Sequence, residues 1–386
     1  KHTHKKKLYS LFFFLYIGSC SILKKKLIMN FLQSWPEPIV RVQSLSESGI
    51  RKIPDRFIKP PSDRPFNITD TKTTSINVPL IDLENLNSPN EFVRKETIDG
   101  ISNACREWGF FQVANHGVSH ELMKKTRAVW HEFFQLSLEE KQKFANSPVT
   151  YEGYGSRIGT EVGAKLDWCD YFFLHYLPEA LRDENKWPRL PISCRKLVLE
   201  YGQELVKLSK RLTTILSIGL GLNEDYIHQS FGGNNETSAC LRANFYPKCP
   251  QPDLTHGLSP HSDPGGITLL LPDTDIPGLQ IRHRNNWLTV NPIPNAFIVN
   301  IGDQVQVLSN AIYKSVEHRV IVNSKKERLS LAFFYNPGGD KLIRPAHQLV
   351  TKDCPALYSP MTFNEYRSFI RTKGLTGKCQ IESLKS

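Results

Sequence analysis

The chain lacks three features that would each assign it to a special class of protein. Its eight cysteines form no Cys-x-x-Cys pair and are spaced irregularly, unlike the disulfide framework of a short secreted domain. No apolar run is long enough to span a bilayer comfortably, and no repeat has the period of a solenoid. Its 386 residues, 40% hydrophobic and 23% charged, therefore predict an ordinary folded protein with reduced thiols, located in the cytoplasm.

A basic stripe is also absent, although the formal net charge is +11. Residues 1–28 contain seven lysines and no acidic residue. The remaining residues, 29–386, hold 42 Lys and Arg against 38 Asp and Glu, a net charge of +4. Because the positive charge is concentrated in this tail, we expect no nucleic-acid partner.

The same tail contains the longest apolar run, Leu8–Leu23, between two lysine clusters. Its sixteen residues are few for a transmembrane helix, and no Ala-x-Ala cleavage site of a signal peptide follows. The first methionine is Met29. We therefore interpret residues 1–28 as a translated leader outside the fold and expect no membrane partner; a genuine anchor is the alternative.

Hydrophobic periodicity divides the rest of the chain into three segments. Residues 29–235 form a proline-rich arm and a helical region, with helices predicted near 90–107, 119–135 and 194–220. In residues 236–340 the period changes to two. Residues 341–386 return to helix, which begins at a capping box formed by Thr362 and Glu365.

The middle segment is predicted to contain eight short strands separated by Pro, Gly, Asn and Asp. They lie at 239–246, 267–271, 278–282, 287–290, 296–301, 305–308, 312–322 and 328–335. Eight short strands at this spacing are typical of a jelly roll. The predicted fold is α+β, a double-stranded β-helix (jelly roll) core with an α-rich N-terminal region and a C-terminal helix that closes the site.

Candidate metal ligands lie in this predicted core. His261 and Asp263 are two residues apart at the start of the strand-rich segment, and His318 lies in a later, mostly apolar strand. A single His-x-Asp is weak evidence, since a polar turn has the same appearance. Two imidazoles and one carboxylate, however, occupy one face of a metal and leave open positions, which suits Fe(II). No cysteine lies near them to complete a structural zinc site.

Polar residues on two further strands indicate an anion site. Arg328 and Ser330 point the same way on a strand, and an arginine directed into a core needs an anionic partner. Arg242, Asn244 and Tyr246 also alternate along a strand. Either these three line a cavity, which we favour, or they face solvent while the residues between them face the core.

These motifs resemble those of plant 2-oxoglutarate/Fe(II)-dependent dioxygenases in order and spacing, over about residues 34–383. The matching segments are Asn244–Pro250, His261–Asp263, His318 and Arg328–Ser330. Within that family the chain is similar to the jasmonate-induced oxygenases, also called jasmonic acid oxidases. The segments that carry this second resemblance are Trp35–Lys59, Thr150–Arg157, Leu166–Leu174 and Met361–Arg371.

The resemblance implies cofactors and roles. His261, Asp263 and His318 would bind Fe(II), 2-oxoglutarate would be the co-substrate, and ascorbate would serve as reductant. The distal carboxylate of 2-oxoglutarate would contact Arg328 and Ser330. The two residues expected to assist them are Tyr246 and Asn244. No side chain is expected to act as a general base, because the cofactor supplies the reactivity.

The resemblance also implies a substrate, jasmonic acid, hydroxylated with dioxygen to 12-hydroxyjasmonic acid. That reaction would lower active jasmonate and dampen defence signalling. Arg242 and Arg367 are the candidate cations for its carboxylate, although Arg367 could instead cover the edge of an apolar stripe. The candidate aromatic wall is Phe173, Phe334 and Phe363. A flavonoid or gibberellin substrate and a non-catalytic hormone-binding protein remain alternatives, and the oligomeric state stays open.

Overall fold

The computed structural model describes residues 34–65, 75–76 and 78–385. The predicted leader, residues 1–28, and Met29 lie outside the described residues. The α-helices of the described part are α1 (Val42–Glu47), α2 (Glu91–Glu107), α3 (His120–Gln135), α4 (Leu138–Gln142), α5 (Cys194–Gly219), α6 (Tyr226–Ser230), α7 (Gly233–Glu236), α8 (Asp303–Leu308), α9 (Phe363–Lys373) and α10 (Cys379–Glu382).

The strands of the same part form two facing sheets and a separate antiparallel pair of short strands. They are β1 (Ser75–Ile76), β2 (Leu80–Asp82), β3 (Phe110–Ala114), β4 (Gly153–Gly155), β5 (Asp170–Leu177), β6 (Ser238–Tyr246), β7 (Leu258–His261), β8 (Ile267–Leu271), β9 (Leu279–His283), β10 (Asn286–Val290), β11 (Phe297–Ile301), β12 (His318–Val320), β13 (Arg328–Asn336), β14 (Leu342–Ile343) and β15 (Met361–Thr362).

The large sheet has the strand order β2-β3-β11-β8-β13-β6-β5-β4, and the small sheet has the order β1-β10-β9-β12-β7. Apolar residues of both sheets, including Phe110, Ile281 and Ile298, pack together between them. This two-sheet core with surrounding helices confirms the predicted α+β jelly roll. Four strands that precede residue 236, β2 to β5, extend the large sheet, and the division of the chain into three segments stays a prediction.

Helix α5 covers the outer face of the large sheet. It spans 26 residues, close to the predicted 194–220, and buries Val198, Leu205 and Leu212 on one side. These residues belong to the same apolar cluster as Leu241 and Phe333 of the sheet, so the helix braces the strands that carry the site. Among the described helices none, α5 included, is both long and apolar enough to cross a membrane.

Two strand predictions are corrected, and one strand was missed. Residues 305–308 lie in helix α8 and not in a strand. Every residue of α8 is buried, so the alternation of apolar and polar residues does not mark one buried and one exposed face. The predicted strand 312–322 shortens to β12. Strand β7 was missed because it contains Pro260, which a strand tolerates at the edge of a sheet, where β7 lies.

Candidate active site

Three candidate metal ligands lie together where the small sheet meets a cavity. His261 ends β7 and His318 begins β12, and the antiparallel register pairs these two residues directly. Asp263 follows shortly after, and its Oδ1 lies 3.6 Å from Nε2 of each histidine. The three ligand atoms lie within 4.8 Å of one another, which is the convergence that a single shared ion requires.

Hydrogen bonds to the backbone orient the two imidazoles. Nδ1 of His261 lies 2.8 Å from the carbonyl oxygen of Ser259, and Nδ1 of His318 lies 3.1 Å from that of Val316. Because a carbonyl oxygen only accepts, each Nδ1 carries a proton and each neutral ring keeps a free lone pair on Nε2. Burial, followed by the neighbouring His318, lowers the pKa of His261, which favours the neutral, metal-binding form.

Asp263 is held through its other carboxylate oxygen. Its Oδ2 accepts a hydrogen bond of 2.6 Å from the Thr268 hydroxyl and another from the Asn300 amide, so Oδ1 is left facing the histidines. A buried carboxylate beside two neutral rings favours a cation between them. The donor set, two imidazole nitrogens and one carboxylate oxygen, fits the predicted Fe(II).

The candidate co-substrate residues lie on two paired strands. The register of β13 and β6 places Arg328 opposite Tyr246 and Ser330 opposite Asn244. Arg328 is buried, with its guanidinium carbon 5.2 Å from the centre of the Tyr246 ring. Its Nε donates to a backbone carbonyl oxygen, whereas one terminal nitrogen, Nη1, has no hydrogen-bond partner among the described residues. A buried guanidinium with a free N–H suits an anionic ligand.

The candidate substrate cations lie against aromatic rings. The guanidinium carbon of Arg242 lies 4.0 Å from the ring centre of Tyr171, and that of Arg367 lies 5.6 Å from the ring centre of Phe363. The buried Nε of Arg242 has no hydrogen-bond partner in the described part of the chain. Burial, followed by a neighbouring arginine, lowers the pKa of Arg367 to about 10, so the side chain stays charged at neutral pH.

All twelve predicted site residues line one cavity of about 530 Å³, whatever their roles. They are His261, Asp263, His318, Arg328, Ser330, Tyr246, Asn244, Arg242, Arg367, Phe173, Phe334 and Phe363. Arg242 and its two alternating neighbours face the cavity, and Leu241, Ala243 and Phe245 pack in the apolar core on the other side of β6. The alternative in which these three polar residues face solvent is therefore wrong.

Sequence analysis missed several polar residues of the same cavity, and two of them lie on the same elements as predicted site residues. Arg371 lies four residues after Arg367 on helix α9, a spacing that could have identified it. His175 lies two residues after Phe173 on β5 and shares its face of the strand. Burial, followed by the charges of Arg367 and Arg371, lowers the pKa of His175 to about 4, so its imidazole is neutral at physiological pH.

Comparison with known proteins agrees with this geometry. Residues 237–337 match the family model of the 2OG-Fe(II) oxygenase superfamily, and residues 78–190 match that of the non-haem dioxygenase in morphine synthesis N-terminal. Jasmonate-induced oxygenase 1 of Arabidopsis thaliana is 61% identical, over 91% of this chain and 87% of that protein. Leucoanthocyanidin dioxygenase of Malus domestica is 38% identical, over 84% of this chain and 93% of that protein.

A solved structure resembles the whole described fold. The crystal structure of JOX2 in complex with 2OG, Fe and JA has a TM-score of 0.85 and 57% sequence identity. The similarity covers 92% of this chain and 99% of that one. The chain therefore belongs to the 2OG-Fe(II) oxygenase superfamily and is a 2-oxoglutarate- and Fe(II)-dependent dioxygenase similar to the jasmonate-induced oxygenases.

Proposed function

We propose that this enzyme hydroxylates jasmonic acid to 12-hydroxyjasmonic acid. The observation that carries the proposal is the combination of the metal triad with three arginines besides Arg328 in one cavity. In residues 34–65, 75–76 and 78–385, Arg242, Arg367 and Arg371 form no salt bridge with an acidic side chain. Such partly buried cations favour a carboxylate ligand, and the JOX2 complex contains JA as well as 2OG and Fe.

The iron would be held by His261, Asp263 and His318, and the distal carboxylate of 2-oxoglutarate by Arg328 and Ser330. Tyr246 and Asn244 would complete the second of these sites. When bound, Fe(II) and 2-oxoglutarate would activate dioxygen, which is the oxidant: one of its oxygen atoms would enter succinate as carbon dioxide is released, and the other would enter the product. The side chains bind and orient the reactants, and none is assigned as a general base.

The substrate would bind with its carboxylate toward the arginines and its apolar part toward the metal. Arg242 and Arg367 would pair with the carboxylate, and Phe173, Phe334 and Phe363 would exclude water from the ring and tail. This arrangement suits an apolar molecule with a single acidic group, since the aromatic wall is apolar and the cations lie together. In a plant cell the reaction would lower active jasmonate and dampen defence responses.

Product analysis by mass spectrometry tests the proposal. The purified chain is incubated with jasmonic acid, 2-oxoglutarate, Fe(II) and oxygen, with and without ascorbate, which stays a predicted reductant. We expect a product heavier by one oxygen atom, hydroxylated at carbon 12, together with one succinate per product. Binding of jasmonic acid without any product or succinate would instead support the non-catalytic hormone-binding alternative.

The same chemistry on a flavonoid or a gibberellin is the second candidate. The identity to leucoanthocyanidin dioxygenase, 38%, is well below the 61% to jasmonate-induced oxygenase 1. A flavonoid that lacks a carboxylate would also leave Arg242, Arg367 and Arg371 without an anionic partner. Turnover of a panel of these acids and flavonoids under one set of conditions separates the candidates.

A further inference from the structure

A buried carboxylate outside the cavity links two parts of the site. Asp303 is the first residue of α8 and is 1% exposed. Its Oδ2 accepts a hydrogen bond of 3.0 Å from the Ser262 hydroxyl and another of 2.7 Å from the Tyr366 hydroxyl. Its backbone N–H donates to the carbonyl oxygen of Asp263 at 2.8 Å. Asp303 thus contacts the metal-binding loop through side chain and backbone.

The two hydroxyl donors belong to opposite ends of the active site. Ser262 lies between the candidate metal ligands His261 and Asp263. Tyr366 is the fourth residue of helix α9 and directly precedes Arg367, a candidate cation for the substrate carboxylate. One carboxylate oxygen therefore connects the loop that would hold the iron with the helix that would hold the substrate.

The other hydrogen bonds that hold helix α9 include one at Tyr366 itself, whose backbone carbonyl oxygen accepts from the Gln380 amide, and several nearer the ends of the helix. At the start, the backbone N–H groups of Phe363 and Asn364 donate to carbonyl oxygens of the loop between β13 and β14. Near the end, the Tyr151 hydroxyl donates to the carbonyl oxygen of Arg371 and the N–H of Thr160 to that of Thr372. The Tyr366 hydroxyl, buried with a charged acceptor, makes a strong hydrogen bond that joins the N-terminal part of α9 to the metal-binding loop through Asp303.

We propose that Asp303 and Tyr366 are positioning residues that fix the distance between the metal and the substrate cation Arg367. The inference rests on the proposed function, because it assigns the carboxylate of the substrate to Arg367. Without this tie, helix α9 shifts relative to the metal, and the acid binds more weakly and presents its tail less accurately. The 2-oxoglutarate site, on β6 and β13, does not depend on this helix.

The test is the variant Tyr366→Phe, which removes one hydroxyl group and keeps the ring. Its matched control is Tyr358→Phe, since Tyr358 is equally buried, accepts a hydrogen bond of 2.7 Å from Gln306 and does not line the cavity. In Tyr366→Phe we expect the KM for jasmonic acid to rise about tenfold, because the variant loses one hydrogen bond to a charged group. Succinate per hydroxylated product should rise above one, with the KM for 2-oxoglutarate unchanged.

The control variant should keep the wild-type KM values and the wild-type ratio of succinate to product. An unchanged KM and ratio in Tyr366→Phe, or equal losses in both variants, would overturn the inference and reduce Tyr366 to a structural residue. A wild-type enzyme inactive on jasmonic acid would instead contradict the proposed function. If the wild-type enzyme is inactive, amide hydrogen exchange of residues 363–373 tests the inference instead. The exchange should be faster in Tyr366→Phe than in the wild type and in Tyr358→Phe. Equal exchange in all three proteins would overturn the inference.

Discussion

The two ends of the cavity are built in different ways. At the metal end, each polar atom that faces away from the triad has a protein partner: both Nδ1 atoms meet backbone carbonyls, and Asp263 Oδ2 meets two donors. At the arginine end, Arg242 and Arg367 rest on aromatic rings, and no acidic side chain of the described residues forms a salt bridge with them.

This difference indicates how each end is prepared for its ligand. The metal end is preorganised, because second-layer hydrogen bonds fix the tautomer and orientation of the ligands before the ion arrives. The arginine end keeps cations on aromatic rings. Burial lowers the pKa values of Arg367 and Arg371, and repulsion by Arg371 lowers that of Arg367 further, so this end gains most from an anion that neutralises the cations. Four changes would break or sharpen this contrast.

The largest effect is expected at the metal end. His261→Ala removes one of three ligands, so we expect loss of Fe(II) binding and of all turnover, measured by metal analysis and by product formation. The exposed residue His347 provides the control, since His347→Ala should retain both. Full activity in His261→Ala would exclude this residue from the metal site.

A double substitution at the arginine end should impair binding of the substrate and leave the metal end intact. The double variant Arg242→Ala, Arg367→Ala should lower kcat/KM for jasmonic acid by about 100-fold or more, because it loses two hydrogen bonds between charged groups. Binding of 2-oxoglutarate to the iron centre should persist, seen in its absorption band. Arg211→Ala is the control, because Arg211 bonds to Leu83 and Asn87 away from the cavity. Unchanged turnover of jasmonic acid would remove both arginines from the site.

Removing a second-layer bond should have a smaller effect on the metal end. Thr268→Val keeps the shape of the side chain and deletes the 2.6 Å hydrogen bond to Asp263 Oδ2. We expect about a tenfold weaker affinity for Fe(II), measured by titration under anaerobic conditions. Thr97→Val, which deletes a bond to the backbone of its own helix, serves as the control. Equal affinities in both variants would mean that the metal end is not preorganised by this bond.

The smallest effect concerns pH. The pKa of His175 is lowered to about 4 and that of Arg367 to about 10, so His175 stays neutral and Arg367 stays charged between about pH 6 and 8. The KM for jasmonic acid should therefore vary by less than about twofold over that range. It should rise only as the pH approaches 10, where Arg367 loses its charge. A steep rise between pH 6 and 8 would show that another group controls binding of the acid.

Several parts of the fold and of the site were predictable because their signals are local. Period three and four over residues 194–220 specified helix α5, and the capping box of Thr362 and Glu365 marked the start of α9. Strand alternation predicted that Arg328 and Ser330 share a face, and both line the cavity. A strand has a period of two and a helix of 3.6, so neighbouring residues report these features directly.

Other parts followed no local pattern. Helix α8 alternates apolar and polar residues like a strand, but it is buried on all sides, so alternation gave no information about its backbone. Strand β7 was not predicted because Pro260 argues against a strand in the middle of a sheet. That β7 lies at a sheet edge, where proline is tolerated, depends on the other strands of the sheet. The spacing of Arg371 from Arg367 and of His175 from Phe173 was a local signal, but only the packing of α9 and β5 beside the cavity shows that both residues reach it.

The amino-acid sequence by itself determined the chemistry available to this protein: two imidazoles, one carboxylate and several arginines on segments of defined period. Only the tertiary structure decided that His318 pairs with His261 across two strands, and that Arg367 on a distant helix shares a cavity with Arg242. The reason is physical. Residue types and local periods set which groups a segment presents, whereas sheet register and helix packing, set by burial over the whole chain, determine which of them meet.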